Sequence, residues 1–154
     1  MNIFFYLFSF QKIYSYQIIL ILFYSTMNYQ NQFIQFIQKG EFIKEILPFY
    51  EQYKQYINIS AWNEEPFRNA CANGHLQVAQ WLYTIKPTIN ISALNEYAFR
   101  MACENGHLEL AQWLYTIKPT IDISALNEYD FCMACYYGHL KVAQWLYQIK
   151  PTIN

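Results

Sequence analysis

The sequence predicts an all-α fold: a solenoid of helix-turn-helix units joined by short turn or extended linkers. Two observations carry this. The block G-H-L-x-x-A-Q-W-L-Y occurs at Gly74, Gly106 and Gly138, each copy 32 residues after the one before. Trp81, Trp113 and Trp145 keep one offset inside it, and Pro87, Pro119 and Pro151 keep another. A fixed period of this size marks one supersecondary unit stacked on itself. Within a unit, apolar residues recur at helical spacing on both sides of the Gly. Phe99, Ala102 and Cys103 precede Gly106, and Leu108, Ala111, Leu114 and Ile117 follow it.

The elements follow in order. Residues 1–26 form a hydrophobic segment of Ile, Phe, Tyr, Leu, Ser and Gln with a single Lys12. Its cleanest run, Ile13 to Phe23, is interrupted by Ser15 and Gln17 and falls short of the roughly 20 apolar residues of a membrane span. Three readings stand: a membrane anchor, a helix packed on the solenoid, or translated upstream sequence ahead of a true start at Met27. The absence of Ala, Gly and Val favours the third.

Residues 27–59 read as a degenerate N-terminal capping repeat. Phe33, Ile34, Phe36 and Ile37 lead to Gly40, and Phe42, Ile43, Ile46 and Leu47 follow. Gly40 to Ile57 spans 17 residues where Gly74 to Ile89 spans 15. The second helix of this unit is therefore expected to run on by about half a turn. Three regular units occupy 60–91, 92–123 and 124–154, with helix pairs expected at about Asn63 to Asn73 and His75 to Ile85 and at the 32-residue equivalents. Lys-Pro ends each second helix, since proline cannot continue it and displaces its predecessor from the α region. Asn63, Asn95 and Asn127 suit a turn of positive φ and a helix cap. The chain stops at Asn154 within a linker, so the last helix is expected to expose its stacking face, where a partner could sit.

Here the unit resembles an ankyrin repeat. Ala102-Cys103-x-x-Gly106-His107-Leu108 and the apolar stripe after it match that pattern, and Pro66 keeps its proline. Glu65, Tyr97 and Tyr129 replace its Thr, and Arg68, Arg100 and Cys132 replace its first His, so its Thr-to-His hydrogen bond is absent. The wording A-F-R-x-A-C-x-N-G-H-L-x-x-A-Q-W-L-Y with K-P-T-I-N-I-S linkers is similar to the expanded ankyrin families of giant amoeba viruses. The resemblance implies a protein-binding module whose contacts lie on the turn tips and the exposed ends of the first helices. On this chain those are Trp62, Glu64, Ala72 and Asn73, then Leu94, Glu96, Glu104 and Asn105, then Leu126, Glu128, Tyr136 and Tyr137.

The residues exclude several other classes. A net charge of −1 gives no electrostatic footprint for nucleic acid. Cys132-Met-Ala-Cys135 with His139 suggests a metal or redox site. Cys135 and His139 belong to repeat columns, however, and a structural zinc site needs four ligands. No metal and no cofactor is assigned. His75, His107 and His139 are expected to bond the adjacent turn. No nucleophile beside a differing His, no paired carboxylates and no Gly-rich phosphate loop is apparent, so no enzyme is expected. The Trp column is expected in the core, with Trp113 touching units on both sides. Cys71, Cys103 and Cys135 read as packing residues in a reducing, cytoplasmic setting. Asn58-Ile-Ser60 and Asn90-Ile-Ser92 match a glycosylation sequon but recur with the linker.

Overall fold

The computed structural model describes the backbone of residues 3–123 and 125–151, with side chains described for residues 18–123 and 128–151. Helix α1 runs Ile3–Lys39 and is followed by a π-helical turn at Phe42–Ile46, α2 at Leu47–Tyr53 and a 3-10 turn at Lys54–Tyr56. Three helix pairs follow: α3 (Ala61–Ala72) with α4 (Leu76–Ile85), α5 (Ala93–Glu104) with α6 (Leu108–Ile117), and α7 (Ala125–Tyr136) with α8 (Leu140–Ile149). No strand occurs among the described residues. The first helices form one row, in which α1 packs on α3, α3 on α5 and α5 on α7. This is the expected all-α, ankyrin-type solenoid.

The buried residues are the repeat columns. Phe67 and Phe99, Ala70, Ala102 and Ala134, Cys71 and Cys103, and Leu82, Leu114 and Leu146 are all fully inaccessible. The small Ala and Cys let first helices approach closely, and the Leu and Phe fill the space between layers. Ile59, Ile89, Ile91, Ile121 and Ile123 bury the linkers beneath the stack. Between them Asn90 stays at the surface, and its Oδ1 accepts from the Ser92 N–H at 3.1 Å. Asn58 does the same for Ser60 at 3.0 Å. The recurring Asn-Ile-Ser is thus an Asx turn that starts each unit.

The first unit departs from expectation. The two extra residues do not lengthen its second helix as regular α-helix. They are taken up by the π turn after Gly40 and the 3-10 turn before Ile57. An inserted residue commonly survives in a helix as such a π bulge, because the flanking apolar register is then preserved. Ile46 stays fully buried as a result.

Helix α1 continues unbroken through Met27. Its C-terminal part packs through Phe33 and Ile37, both fully buried, whereas Ile18 to Tyr24 are exposed on every side. Among the described residues no helix is long and apolar enough to cross a membrane.

Candidate functional site

Each regular unit opens on a turn that the sequence only half announces. Asn63 and Asn95 adopt positive φ as expected, but so do their neighbours: Trp62 (φ 49°), Glu64 (63°), Leu94 (55°) and Glu96 (59°). Neither Asn caps a helix; no side-chain cap bond forms at either start. Three consecutive left-handed residues are costly, because the Cβ crowds the carbonyl oxygen by about 1–2 kcal/mol for each non-glycine residue.

The opposing interactions come from residues that replace the repeat pattern's usual ones. The Arg68 Nε donates to the Asn63 carbonyl at 2.8 Å and its Nη2 to the Trp62 carbonyl at 3.0 Å. Arg100 repeats this on Asn95 at 2.8 Å and on Leu94 at 3.2 Å. Two charge-assisted bonds, each contributing about 1.5–3 kcal/mol, are of the size needed to hold the turn. The Arg thus replaces the missing Thr-to-His bond.

The glutamate at the third position of the first two tips faces inward. Ser60 Oγ donates to Glu64 Oε2 at 2.6 Å and accepts from Lys86 Nζ at 2.5 Å, and the Asn90 N–H donates to Glu64 Oε1 at 3.3 Å. In the next unit Ser92 Oγ donates to Glu96 Oε1 at 2.7 Å, with Lys118 Nζ 3.4 Å away. Glu64 is only 7% exposed. The expectation that Glu64 faces a partner is corrected: its carboxylate joins the tip of one unit to the linker that follows. Glu96 is half-buried for the same reason.

Trp62 and Leu94 are left at the outside of the tips, 45% and 49% exposed. From there a row of side chains runs across the first helices. The Arg68 guanidinium lies 5.1 Å from the Tyr97 ring centre, and Arg100 lies 5.8 Å from both Tyr97 and Tyr129. Tyr129 Oη donates to Glu104 Oε2 at 3.1 Å. Such cation–π contacts contribute about 0.5–1 kcal/mol each at exposed sites. This Arg–Tyr ladder was not singled out from sequence. Its signal was present, however: Arg68 with Arg100 and Tyr97 with Tyr129 recur at the period at positions where the repeat pattern asks for other residues.

The ladder ends at the C-terminal ends of the first helices. Asn73 and Asn105 are exposed there, and Asn105 Nδ2 donates to the Ala72 carbonyl of the preceding unit at 2.9 Å. In the third unit that column carries Tyr137, and Tyr136 stands in the column of Ala72 and Glu104; the two rings pack edge to face with centroids 5.0 Å apart and are exposed by 53% and 77%. Glu128 is half-buried at positive φ, and the side chain of Leu126 lies outside the described residues.

Behind this face the units interlock. His75 Nε2 donates to the Gln38 carbonyl at 2.9 Å, and His107 Nε2 to the Ala72 carbonyl at 3.2 Å. The bonded turn is that of the preceding unit. Burial lowers the pKa of His107, which favours the neutral ring, and a carbonyl partner places its proton on Nε2. The ring also lies on the preceding glycine. A Cβ on Gly74 (φ +73°) would come within 2.5 Å of the His107 ring. Glycine is therefore required there twice, for its φ and for its missing side chain.

The aromatic contacts of the Trp column run to the unit before. Trp113 meets Phe67 and Tyr83, and Trp145 meets Phe99 and Tyr115, all in the unit before. Each Trp is only partly buried and packs against the core from its edge.

Cys71 and Cys103 are buried free thiols whose pKa is pushed up by burial. Cys132 and Cys135 are free and exposed. Among the described residues no group of three or more His, Cys, Asp or Glu is placed to hold a metal ion. The geometry so far is a face presenting aromatic and cationic side chains.

No family model matches the chain, and no curated protein does. Among solved structures, the X-ray structure of an ankyrin repeat family protein from Legionella pneumophila is similar, with 31% identity and a TM-score of 0.67 over 77% of this chain. The chain spans 36% of the length of that protein. Repeat wording, inter-unit interlock and this likeness agree that the chain folds as an ankyrin-type repeat solenoid.

Proposed function

We propose that the protein is a non-enzymatic protein-binding module that engages its partner with the face running from the Trp62 and Leu94 tips, across the Arg68–Tyr97–Arg100–Tyr129 ladder, to Tyr136 and Tyr137. One observation carries this reading. The buried columns barely change between units, while large side chains that vary between units are held exposed on this one face. Trp62 and Leu94 are held there in a backbone conformation that costs free energy, which a turn built for stability alone would avoid by using glycine. Aromatic and Arg side chains dominate interface energy, and here the ladder residues Arg68, Tyr97, Arg100 and Tyr129 are held by one another and by the tips before binding, so less entropy remains to be lost.

Asn73, Glu104 and Asn105 supply a polar rim, with Leu126 and Glu128 at the third tip, while Glu96 braces the second tip from inside. The linker wording shared with expanded ankyrin families of giant amoeba viruses supports a host protein as the partner. Four free cysteines fit a reducing, cytoplasmic compartment.

The test replaces Trp62, Tyr136 and Tyr137 together with Ser. Helicity by circular dichroism should be unchanged. Proteins captured by the wild-type chain from a host lysate should be lost, with at least about 2 kcal/mol of binding free energy removed. An unchanged set of captured proteins moves the interface off this face.

A further inference from the structure

Position 130 breaks its column. Its equivalents Pro66 and Ala98 are buried and apolar, whereas the third unit places an acid there, and Asp130 is 1% exposed. Neither carboxylate oxygen has a hydrogen-bond partner. The residue sits on α7, which packs on α5, and it is close enough to the Cys103 thiol to act on it. The charges acting on Asp130 are Arg100, Glu96 and Glu104 on α5 and Asp122 in the linker before α7. Three of these four are carboxylates. Arg100 is the one attraction, and its guanidinium is already bound to the Asn95 and Leu94 carbonyls. Helix α8, which also packs on α7, adds no acting charge among the described residues.

A buried carboxyl with no donor facing it is tolerable only as the neutral acid, because its charged form loses hydration and gains nothing in return. We propose that Asp130 makes the seam between the second and third units a pH-operated joint, closed over the neutral acid and loosened when the acid ionises. The proton leaves to solvent. The resulting charge is relieved by water reaching it, which requires α7 to lift from α5. Burial, more than the neighbouring charges, pushes the Asp130 pKa up to about 7, so the joint is poised near neutral pH. The first seam, with Ala98 between the α3 and α5 layers, has no such group and does not respond.

The experiment is hydrogen exchange of the full chain, followed by mass spectrometry and corrected for intrinsic exchange rates, at about pH 5.5 and about pH 8. Amides of α7 and α8 are compared with those of α3 and α4. In the wild type, opening of α7 and α8 relative to α3 and α4 should rise at least about tenfold between the two pH values. In Asp130→Ala, which restores the residue of the second unit, and in Asp130→Asn, which keeps the shape without the charge, the ratio should stay flat. No rise in the wild type, or the same rise in either variant, overturns the proposal.

Discussion

The second and third units share most of their wording yet differ in what holds them. In the second, Arg100 clamps the left-handed tip, Ala98 lets α5 seat closely, and Glu104 and Asn105 finish the first helix in polar residues. In the third, Cys132 stands in the clamp position, Asp130 is buried in the seat, and Tyr136 and Tyr137 finish the helix exposed. The period survives in every second helix, where His107 and His139, Trp113 and Trp145, and Leu114 and Leu146 coincide. The difference separates two tasks. Second helices carry the stack, so they repeat. First helices carry the exposed face, so they diverge, and the third has diverged at a cost in stability.

Substitutions at three places would break or sharpen that contrast. The largest effect is expected at the indoles. Trp113→Ala should destabilise by about 3 kcal/mol, the lower end for a large aromatic because the ring is only partly buried. Trp145→Ala should cost less, since it loosens a seam already weakened by Asp130. Denaturant unfolding of both variants checks the order, and equal losses would mean that the two seams are equally tight.

Next comes Asp130→Ala, which should stabilise by about 2 kcal/mol at pH 8. The sign follows from linkage. The carboxyl has a pKa of about 7 when folded and 3.8 as its ordinary value, so the folded state binds the proton more tightly. Stability from the neutral acid is fully present below about pH 4, falls as pH rises to about 7, and is then constant. The gain from Asp130→Ala should therefore shrink toward zero as pH falls to about 4, read from thermal unfolding across that range.

The smallest effect is expected from Cys132→Arg. It restores the clamp of the first two regular units and should stabilise by about 1 kcal/mol, while Arg100→Ala in the second unit should lose a comparable amount. If Cys132→Arg changes nothing in the melting temperature while Arg100→Ala does, the third tip does not share the geometry of the others.

Much of this was legible in the sequence because repetition averages out local ambiguity. Gly106, Pro119, Leu114 and Ala102 recur at fixed offsets, and only a helix-turn-helix stack satisfies all of them at once. The same columns pointed to Cys71 and Cys103 as buried packing residues and to His75 and His107 as bonding a neighbouring turn, whereas Cys135, expected to pack with the other two, is exposed. The pattern likewise pointed to Trp62, Leu94, Tyr136 and Tyr137, since variation at exposed helix ends is visible without coordinates.

Only the tertiary structure decided the rest, because it depends on contacts between units that no single window contains. Glu64 and Glu96 read as tip residues, but Ser60, Lys86, Ser92 and Lys118 draw them inward across a linker. Arg68 and Arg100 read only as replacements for the repeat pattern's first His, but the left-handed tips gave them carbonyls to hold and Tyr97 and Tyr129 to lie on. Two extra residues read as a longer helix, but the need to keep Ile46 buried turned them into a π turn and a 3-10 turn. Asp130 shares a column with Pro66 and Ala98, and only the close seat between α5 and α7 shows that its carboxyl is buried. The sequence determined the columns because burial is periodic. The structure decided the charges, because a charge is governed by whichever groups the neighbouring unit brings beside it.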